Sequence, residues 1–317
     1  MSATYAERWP SQNKDRSGQV QAPGETRRRV YNNRALPELI TQLLYVLRSI
    51  WSDDSNRGER ARRVLMFVGW QLWKRTIRLP IVVGTDNGFR IVAYPESDVS
   101  AGFIYYRIPD AQTIRFMRAH LNGGILLDVG ANVGSVSVLL AGKIDHAILF
   151  EPNPVAATRA RENLAINQLG FEVHEVAVSD VQGTVEFEDA GGASPCNRTV
   201  IGFETDLPTR TVSRTTLDHF LQERSIAARI TAVKIDVEGH ETSVIRGMTQ
   251  LLRDTRPRLV MFEYLRRTNL SEALGVFQAA GYTTFELTAA GPSAVQGSAR
   301  PLQNLFACPE EIFPSMR

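Results

Sequence analysis

The sequence predicts an α/β fold with an open, mostly parallel sheet and a helical extension in front of it. Residues 125–141 contain an apolar strand, a glycine turn and a helix in that order, which is how a nucleotide-type site opens in such sheets. Apolar runs and helical stretches then alternate along the chain, as in βαβ units. Four of the apolar runs finish on an acid, at Asp128, Glu151, Asp236 and Glu263. We therefore expect a group of acids at the carboxyl edge of the sheet.

Charge is distributed unevenly along the 317 residues. Residues 1–80 hold 15 Lys and Arg against 7 Asp and Glu, whereas the whole chain has a net charge of only +2. Residues 1–35 are polar with few apolar side chains, so we predict a disordered basic tail. Because the basic excess lies outside residues 81–317, the predicted sheet domain, nucleic-acid binding by that domain is not expected.

The two cysteines, Cys196 and Cys308, lie far apart in the sequence. They indicate neither a disulfide framework nor a metal cluster, and they fit a reducing compartment. We therefore expect a cytoplasmic protein, peripheral to the membrane if its N-terminal region binds lipid.

Residues 36–80 are predicted to form a helical extension. A first helix over residues 37–51 carries one apolar stripe, and a second over roughly 59–77 has an apolar centre, residues 64–73, between basic flanks. That centre is too short to span a bilayer, which takes about 20 residues. Two ways of burying it stay open. It can pack against the sheet domain or a second copy of the chain, or it can lie in a membrane interface, which the basic flanks and paired tryptophans favour.

The turn after the first core strand is bracketed by Gly130 and Gly134. Glycine lets the backbone approach a ligand closely, and the start of the following helix offers free N–H groups. A dinucleotide site requires G-x-G-x-x-G, whereas Asn132 stands where the middle glycine would be. A dehydrogenase-type site is therefore not expected. The remaining alternative to a ligand site is a strand, turn and helix that bind nothing.

Asp128 and Glu151 favour a positively charged ligand that contains a ribose. A carboxylate at Asp128 would repel a phosphate, but it suits the sulfonium and ammonium groups of S-adenosylmethionine. A carboxylate at Glu151, at the end of the next strand, can accept hydrogen bonds from both ribose hydroxyls.

The other elements follow from apolar periodicity and turn residues. Strands are predicted over residues 81–83, 89–93, 147–150, 171–178, 210–212, 230–236, 257–263, 282–287 and 303–308, and a hairpin arm over 181–188. Helices are predicted over residues 108–121, 154–168, 241–252 and 271–280.

Three segments resemble the FkbM-type methyltransferases. They are Asp128–Gly134 (DVGANVG), Phe150–Pro154 (FEPNP) and Lys234–Gly239 (KIDVEG), in that order and at plausible spacing. The resemblance covers roughly residues 85–310. It implies a Rossmann-like, seven-stranded class I methyltransferase sheet whose last strand runs antiparallel, and a methyltransferase that uses S-adenosylmethionine, usually on a hydroxyl oxygen.

The motifs and the resemblance together predict a set of cofactor-binding residues. These are Asp128, Gly130, Asn132, Gly134, Glu151 and Asp180. Asp180 follows the third strand, where similar methyltransferases contact the adenine, and the alternative is an aspartate that merely starts a turn. Similar enzymes also carry an insertion above the pocket, so loop 190–198 is expected to hold acceptor contacts.

The segment Lys234–Glu241 holds the densest group of candidate catalytic residues. An alcohol is a poor nucleophile at neutral pH and needs a base or a metal. His240 can act as the base, or Asp236 and Glu238 can hold a divalent cation, Mg²⁺ or Mn²⁺, that binds the acceptor. Alternatively, Glu238 only favours a helix start and His240 is a surface histidine. Glu263 is open between an acceptor contact and a structural ion pair.

These observations predict a methyltransferase that uses S-adenosylmethionine to methylate a hydroxyl on a small molecule, a sugar or a lipid-linked acceptor. Two alternatives stay open: a non-catalytic membrane-surface protein that retains the cofactor pocket, and an N-methyltransferase. The chain lacks the Asn/Asp-Pro-Pro-aromatic motif that amino-group methyltransferases often carry after the fourth strand. Peripheral membrane contact and a homo-oligomer are both open, and the acceptor itself cannot be read from the sequence.

Overall fold

A computed structural model describes residues 36–188, 199–200, 207–222, 224, 226, 229–265, 269–295 and 303–316. The strands are β1 (Ile81–Gly84), β2 (Arg90–Ala93), β3 (Ile125–Val129), β4 (His146–Phe150), β5 (Glu172–His174), β6 (Ala177–Val178), β7 (Gly183–Glu188), β8 (Thr209–Thr215), β9 (Ile230–Ile235), β10 (Leu259–Tyr264), β11 (Tyr282–Thr288), β12 (Gly291–Ala294) and β13 (Gln303–Pro309). The helices are α1 (Leu36–Ser52), α2 (Arg60–Thr76), α3 (Asp98–Tyr105), α4 (Ala111–His120), α5 (Ser135–Leu140), α6 (Pro154–Ala165), α7 (Leu217–Gln222), α8 (Glu241–Arg246) and α9 (Leu270–Ala279). The predicted basic tail, the predicted loop 190–198 and Cys196 lie outside the described residues.

One large sheet organises the described chain, with the strand order β12-β11-β13-β10-β9-β3-β4-β5. Strands β5, β4, β3, β9 and β10 are parallel, and β13 runs antiparallel to both of its neighbours. This order confirms the predicted Rossmann-like seven-stranded sheet, to which β12 adds an edge strand that was not predicted. The chain leaves β3 toward β4 and later returns to β9 on the other side. The crevice at the carboxyl ends of β3 and β9 is therefore the switch point where open α/β sheets bind ligands.

Both faces of the sheet are covered, because all five residues of β3 are buried and their side chains alternate between two apolar clusters. Leu126 belongs to the cluster formed with α2, α4, α5 and α6. Its neighbour Leu127 belongs to the cluster formed with α7, α8 and α9. This double covering holds the strand ends, and the loops that follow them, in fixed positions.

The third strand and helix α3 also differ from the predicted elements. The third strand is split: β5 joins the large sheet, whereas β6 pairs with β8 in a separate sheet of order β6-β8-β7. Helix α3 was not predicted, because its sequence, DVSAGFIY, is short and shows no clear polar face. It begins where the side chain of Ser97 accepts a hydrogen bond from the Ser100 N–H, which is a helix-start signal.

The N-terminal helices α1 and α2 occur where they were predicted, and they pack on the sheet domain through one face. Phe67 and Trp70 of α2 are buried in the same cluster as Leu126, and the Phe67 ring lies 5.1 Å from that of Tyr105 in α3. The opposite face of α2 is not covered, since Leu65 is 72% exposed. Within the described residues, every helix is too short or too polar to cross a bilayer.

Candidate active site

The glycine turn and the segment after β9 are in direct contact at the switch point. Gly130 adopts a left-handed conformation, with φ of 72°. A Cβ at this position would lie 1.8 Å from the carbonyl oxygen of Asp236, a distance that no side chain tolerates. The N–H groups of Gly130 and Ala131 both donate to the Phe150 carbonyl, at 2.9 and 3.1 Å. Glycine is therefore required at position 130 for the predicted cofactor loop and the predicted catalytic turn to meet.

Glu151 ties the glycine turn to the end of β4. Its Oε2 accepts from the Asn132 N–H at 2.8 Å, and its Oε1 accepts from the Asn153 N–H at 2.9 Å. Burial raises the pKa of the Glu151 carboxyl to about 7, although the two N–H donors and Lys234 oppose that rise. Each carboxylate oxygen can accept a second hydrogen bond, so Glu151 keeps the capacity to bind hydroxyl groups.

Asp128 lies beneath the turn and is fully buried. Its Oδ2 accepts from the Ser137 hydroxyl at 2.7 Å, and its Oδ1 lies 3.2 Å from the Lys234 ammonium. Both carboxylate oxygens are thus directed at this chain's own groups. This geometry favours a role for Asp128 in holding the turn over the direct contact with a charged ligand that its sequence position suggested.

Lys234 is the buried cation at the centre of the site. Its ammonium donates to the Gly130 carbonyl at 2.7 Å and lies 3.7 Å from Asp236 Oδ2. Burial disfavours the charged form, but the carboxylates of Asp128 and Asp236 outweigh that effect and raise the pKa of Lys234 above its ordinary value. One side chain from β9 therefore fixes the acid of β3, the glycine turn and the acid that follows β9.

Asn132 and Gly134 complete the turn. Asn132 has a left-handed φ of 50°, and its buried Oδ1 has no hydrogen-bond partner among the described residues. Gly134 has φ of 73° and immediately precedes α5. The turn is also held from α6, because the buried Asn163 donates to the Val133 carbonyl at 2.8 Å. Sequence reasoning missed Asn163, since a single polar residue within a helix gives no signal of what it contacts.

The segment that follows β9 is an irregular turn, as predicted. Glu238 has a left-handed φ of 57° and Gly239 has φ of 100°. The fully buried Glu241 holds this turn, because its Oε1 accepts from the N–H groups of Val237 and Gly239 at 3.2 and 2.9 Å. Asp236 keeps its side chain 41% exposed, so a ligand can reach it.

Glu263 ends on the same side of the sheet, one strand away. The residue is 8% exposed, and one of its carboxyl oxygens lies within 4.8 Å of an oxygen of Asp236. Burial, together with the charges of Asp236, Glu238 and Glu241, raises the pKa of the Glu263 carboxyl to about 10. The sequence left two roles open for Glu263, an acceptor contact and a structural ion pair. No such ion pair is seen among the described residues.

His240 and Asp180 belong to a neighbouring network. Arg246 binds Asp180 Oδ2 through Nε and Nη2, at 3.0 and 2.6 Å. Ser179 lies between the two predicted residues, since its hydroxyl is 3.0 Å from Asp180 Oδ1 and 2.9 Å from His240 Nε2. Because one hydroxyl proton cannot serve both contacts, a Ser179 that donates to Asp180 must accept from His240. The Nε2 atom of His240 is then not available as a base.

The electrostatic setting of this network weakens both predicted roles. Burial, together with Arg214 and Arg246, lowers the pKa of His240 to about 4, so its imidazole is neutral at pH 7 and a weak base. For Asp180, burial is outweighed by the hydrogen bonds from Arg246 and Ser179, which lower its pKa below the usual range. An adenine amino group would have to share Asp180 with Arg246.

The structure therefore brings most of the predicted site residues together at one crevice. The glycine turn contacts both Glu151 and the β9 turn, whereas Asp180 and His240 lie in the adjoining network. A separate surface depression of about 360 Å³, lined by Thr249, Arg253 and one side of α9, contains none of them.

Comparisons with known proteins agree with the motifs. Residues 128–284 match the Methyltransferase FkbM domain family. The hexuronic acid methyltransferase AglP of Haloferax volcanii is 30% identical over a stretch that covers 41% of this chain and 52% of that protein. The 2-O-methyltransferase NoeI of Sinorhizobium fredii is 27% identical over 55% of this chain and 76% of that protein. The matched stretch thus spans about half the length of AglP.

Among solved structures, the methyltransferase FkbM from Methylobacillus flagellatus KT aligns with 80% of this chain and 61% of its own chain. The two share 14% identity, with a TM-score of 0.40. At that score the likeness carries no argument about function.

Proposed function

Because this chain belongs to the FkbM methyltransferase family, we propose that it transfers a methyl group from S-adenosylmethionine to a hydroxyl oxygen of a sugar. One observation carries the proposal: the glycine turn touches the carbonyl of Asp236, and the side chain of Asp236 is exposed in the same crevice. The names of two relatives, a hexuronic acid methyltransferase and a 2-O-methyltransferase, support a sugar hydroxyl as the acceptor.

The residues of the turn fit this cofactor. The buried Oδ1 of Asn132 has no partner among the described residues and can accept from a ligand N–H or O–H group. Glu151 would accept from the ribose hydroxyls through the second lone pair of each oxygen. Gly130 and Gly134 place no side chain at either end of the turn. The Asp128–Lys234 pair would act indirectly, by holding the turn in place.

When bound, S-adenosylmethionine supplies a methyl group attached to a sulfonium. The acceptor oxygen forms the new O–C bond while the C–S bond breaks, and that electron pair stays with sulfur. The hydroxyl proton passes to the carboxylate of Asp236, the exposed acid of the site. Alignment of the three reacting atoms is the main requirement of such a displacement. His240 is the weaker candidate for this proton, because its Nε2 atom is engaged by the Ser179 hydroxyl at 2.9 Å.

Methyl-labelled S-adenosylmethionine with a panel of hexuronic acid saccharides and neutral saccharides tests the proposal. We expect labelled methyl ether to form, and Asp236→Asn to lower turnover by about 100-fold or more while the affinity for S-adenosylhomocysteine is kept. Asp254→Asn, which changes an exposed aspartate of the segment Leu251–Thr255, is the matched control and should be fully active. Bound cofactor without any transfer would favour the non-catalytic alternative, and label on nitrogen would favour an N-methyltransferase.

We also propose that the outer face of α1 and α2 contacts an anionic membrane surface. Leu65, Val68 and Leu72 of α2 are 72%, 47% and 60% exposed, and their spacing of three and four residues places them in one stripe. Trp51 at the end of α1 is 54% exposed. Basic side chains at Arg48, Arg62, Arg75 and Arg78 are exposed on the same two helices or just after them.

The positive charge of this face favours an anionic lipid surface over a second copy of the chain as its partner. A symmetric dimer through this face would bring like charges together, whereas anionic lipid would attract them, by about 1 kcal/mol for each basic residue. The geometry therefore favours an interfacial position, with the stripe in the headgroup region. This contact would bring a lipid-linked acceptor toward the crevice.

Sedimentation with vesicles of phosphatidylcholine alone, or mixed with phosphatidylserine, tests this contact. We expect binding to the mixed vesicles that weakens at high salt and falls by about tenfold or more in Leu65→Glu/Leu72→Glu. Val181→Glu, at an exposed valine elsewhere, is the control. Point variants are preferable to a deletion because α2 also contributes buried side chains to the core. Failure of the full chain to bind would contradict the contact, and self-association lost in the double variant would identify a second copy instead.

A further inference from the structure

Three carboxylates from two neighbouring strands converge at the carboxyl edge of the sheet. Asp236 and Glu238 come from the turn after β9, and Glu263 comes from the end of the parallel neighbour β10. One carboxylate oxygen of each lies within 4.8 Å of the other two. Mg²⁺ binds oxygen ligands at about 2.0–2.1 Å, so small side-chain movements toward one another would let a single ion bind all three atoms.

Glu263 provides a second observation, which is needed because acids often cluster at strand ends without any ligand. Its side chain is more than nine-tenths buried, and its Oε2 is buried with no hydrogen-bond partner in the part of the chain that the structure describes. The side chain points into the cluster, since one of its carboxylate oxygens lies within 4.8 Å of an oxygen of Asp236 and of Glu238. A buried carboxylate oxygen without a partner is costly, and a cation would remove that cost.

The charges of the side chains seen near the cluster are compatible with a bound cation. Lys234 is the basic group seen near it, and its ammonium is closer to Asp128, at 3.2 Å, than to Asp236, at 3.7 Å. Lys234 also donates to the Gly130 carbonyl at 2.7 Å. No ion pair of Glu263 with Lys or Arg is seen among the described residues.

We propose that Asp236, Glu238 and Glu263 bind a divalent cation, Mg²⁺ or Mn²⁺, and that the acceptor hydroxyl binds to this ion. Carboxylate oxygens are the hard ligands that these cations prefer. Three protein ligands leave positions open in an octahedral shell, on the side where Asp236 is exposed.

This inference rests on the proposed function and narrows its acceptor. Acceptors that offer two adjacent oxygens, such as a vicinal diol or a hydroxy acid, would bind best, because both oxygens can reach one ion. The bound hydroxyl loses its proton more easily, and that proton passes to the second oxygen of Asp236 as the O–C bond forms and the C–S bond breaks. The hydroxyl and carboxylate groups of a hexuronic acid fall within this class.

Binding of Mn²⁺ alone tests the site without any acceptor. The full chain is dialysed against a chelator and then against metal-free buffer, and free Mn²⁺ is followed by electron paramagnetic resonance during a titration. We expect one saturable site per chain. Asp236→Asn and Glu263→Gln should each weaken it by about tenfold or more. Glu311→Gln, at an exposed acid paired with Arg256, is the control and should bind as the wild type does.

Circular dichroism and S-adenosylhomocysteine affinity show whether each variant keeps its fold. If Glu263→Gln unfolds, Glu238→Gln in the turn provides the same measurement. The site is overturned if the wild type shows no saturable Mn²⁺ binding, or if folded variants bind as tightly as the wild type. Methyl transfer by protein from which a chelator has removed the metal would contradict the role of the ion, but it would agree with the proposed function. Bound Mn²⁺ with no methyl transfer to any saccharide would instead contradict the proposed function.

Discussion

Lys234 shows how much of this site depends on one buried side chain. Its ammonium joins Asp128, the Gly130 carbonyl and Asp236, which come from three different parts of the crevice. Asp128 is fully buried, so the loss of its cationic partner would leave a charge that water cannot reach. Removing one member of a buried pair costs about 3–5 kcal/mol, far more than removing a surface pair.

Lys234→Met should therefore lower the free energy of unfolding by about 3–5 kcal/mol in a urea titration. Arg161→Met, which breaks the half-exposed pair with Glu175, is the control and should cost no more than about 1 kcal/mol. Adding Asp128→Asn to Lys234→Met should recover part of the loss, because the uncompensated charge is gone. Equal losses of stability in Lys234→Met and Arg161→Met would show that the buried Asp128–Lys234 pair stabilises the fold no more than the surface pair does.

The raised pKa of Glu151 predicts that cofactor binding depends on pH. Burial raises the pKa of its carboxyl to about 7, and the ionised form accepts best from the ribose. S-adenosylhomocysteine affinity should therefore fall by about tenfold between pH 8 and pH 6. Glu151→Gln should bind more weakly, with little change over this range. A wild-type affinity that is flat from pH 6 to 8 would remove Glu151 from the binding site.

Stability of the unliganded protein provides an independent check on the same carboxyl. Its folded pKa, about 7, lies above the ordinary value of 4.5 for a glutamate carboxyl. A group with a raised pKa favours the folded state most below the unfolded pKa, and this contribution is lost as pH rises through the folded pKa. Relative to Glu151→Gln, the wild type should thus become less stable to heat between pH 4.5 and about 7.

At the scale of the element, helix α6 holds the glycine turn in place. Asn163 donates to the Val133 carbonyl at 2.8 Å and accepts from the Val92 N–H at 2.8 Å, so it joins α6 to both the turn and β2. Asn167, just beyond α6, makes similar bonds to Arg90 but none to the turn. Asn163 therefore supports both β2 and the turn, whereas the bonds of Asn167 to Arg90 support β2.

Asn163→Asp should lose the N–H donor to Val133 while it keeps an oxygen for Val92. We expect a loss of about 1–3 kcal/mol in unfolding free energy and a weaker affinity for S-adenosylhomocysteine by calorimetry. Asn167→Asp should lower stability less and leave the affinity unchanged. The account of the turn would be contradicted if both variants bound S-adenosylhomocysteine as the wild type does.

The elements that the sequence predicted well were those with a strong local pattern. The core strands and their turns were found because apolar runs ended at Gly, Asp or Glu, and the helices on either side showed clear periodicity. The split between β5 and β6 and the edge strand β12 were missed, because strand pairing depends on partners far away in the sequence. Helix α3 was missed because its apolar run has no period.

The site was predictable as a set of residues but not as a set of contacts. Motif spacing identified the glycine turn, Glu151 and the acids after β9. The bond from Lys234 to Gly130 joins residues 104 positions apart, and only the adjacency of β3 and β9 brings them together. The burial of Asp128 and the Ser179–His240 contact likewise depend on packing, which no local pattern encodes.

For the whole molecule, strand order explains why one crevice collects these groups. The strand order changes sides at β3, with β4 and β5 on one side and β9 and β10 on the other, and such a switch point leaves a crevice at the carboxyl edge of the sheet. The N-terminal helices pack on the face of the sheet that contains Leu126 and leave their own outer stripe exposed. The exposed stripe thus lies on helices that cover a face of the sheet, whereas the crevice lies at its carboxyl edge.

Calorimetric titration with S-adenosylhomocysteine measures directly whether this crevice binds the cofactor. The wild type should bind one molecule per chain, and Gly142→Ala should bind almost as well, because a Cβ there meets nothing within 4 Å although φ is 84°. Gly130→Ala should lose about 100-fold or more in affinity, because its Cβ would lie 1.8 Å from the Asp236 carbonyl oxygen. A wild-type chain that binds neither S-adenosylhomocysteine nor S-adenosylmethionine would contradict the central claim, and so would a folded Gly130→Ala variant with unchanged affinity.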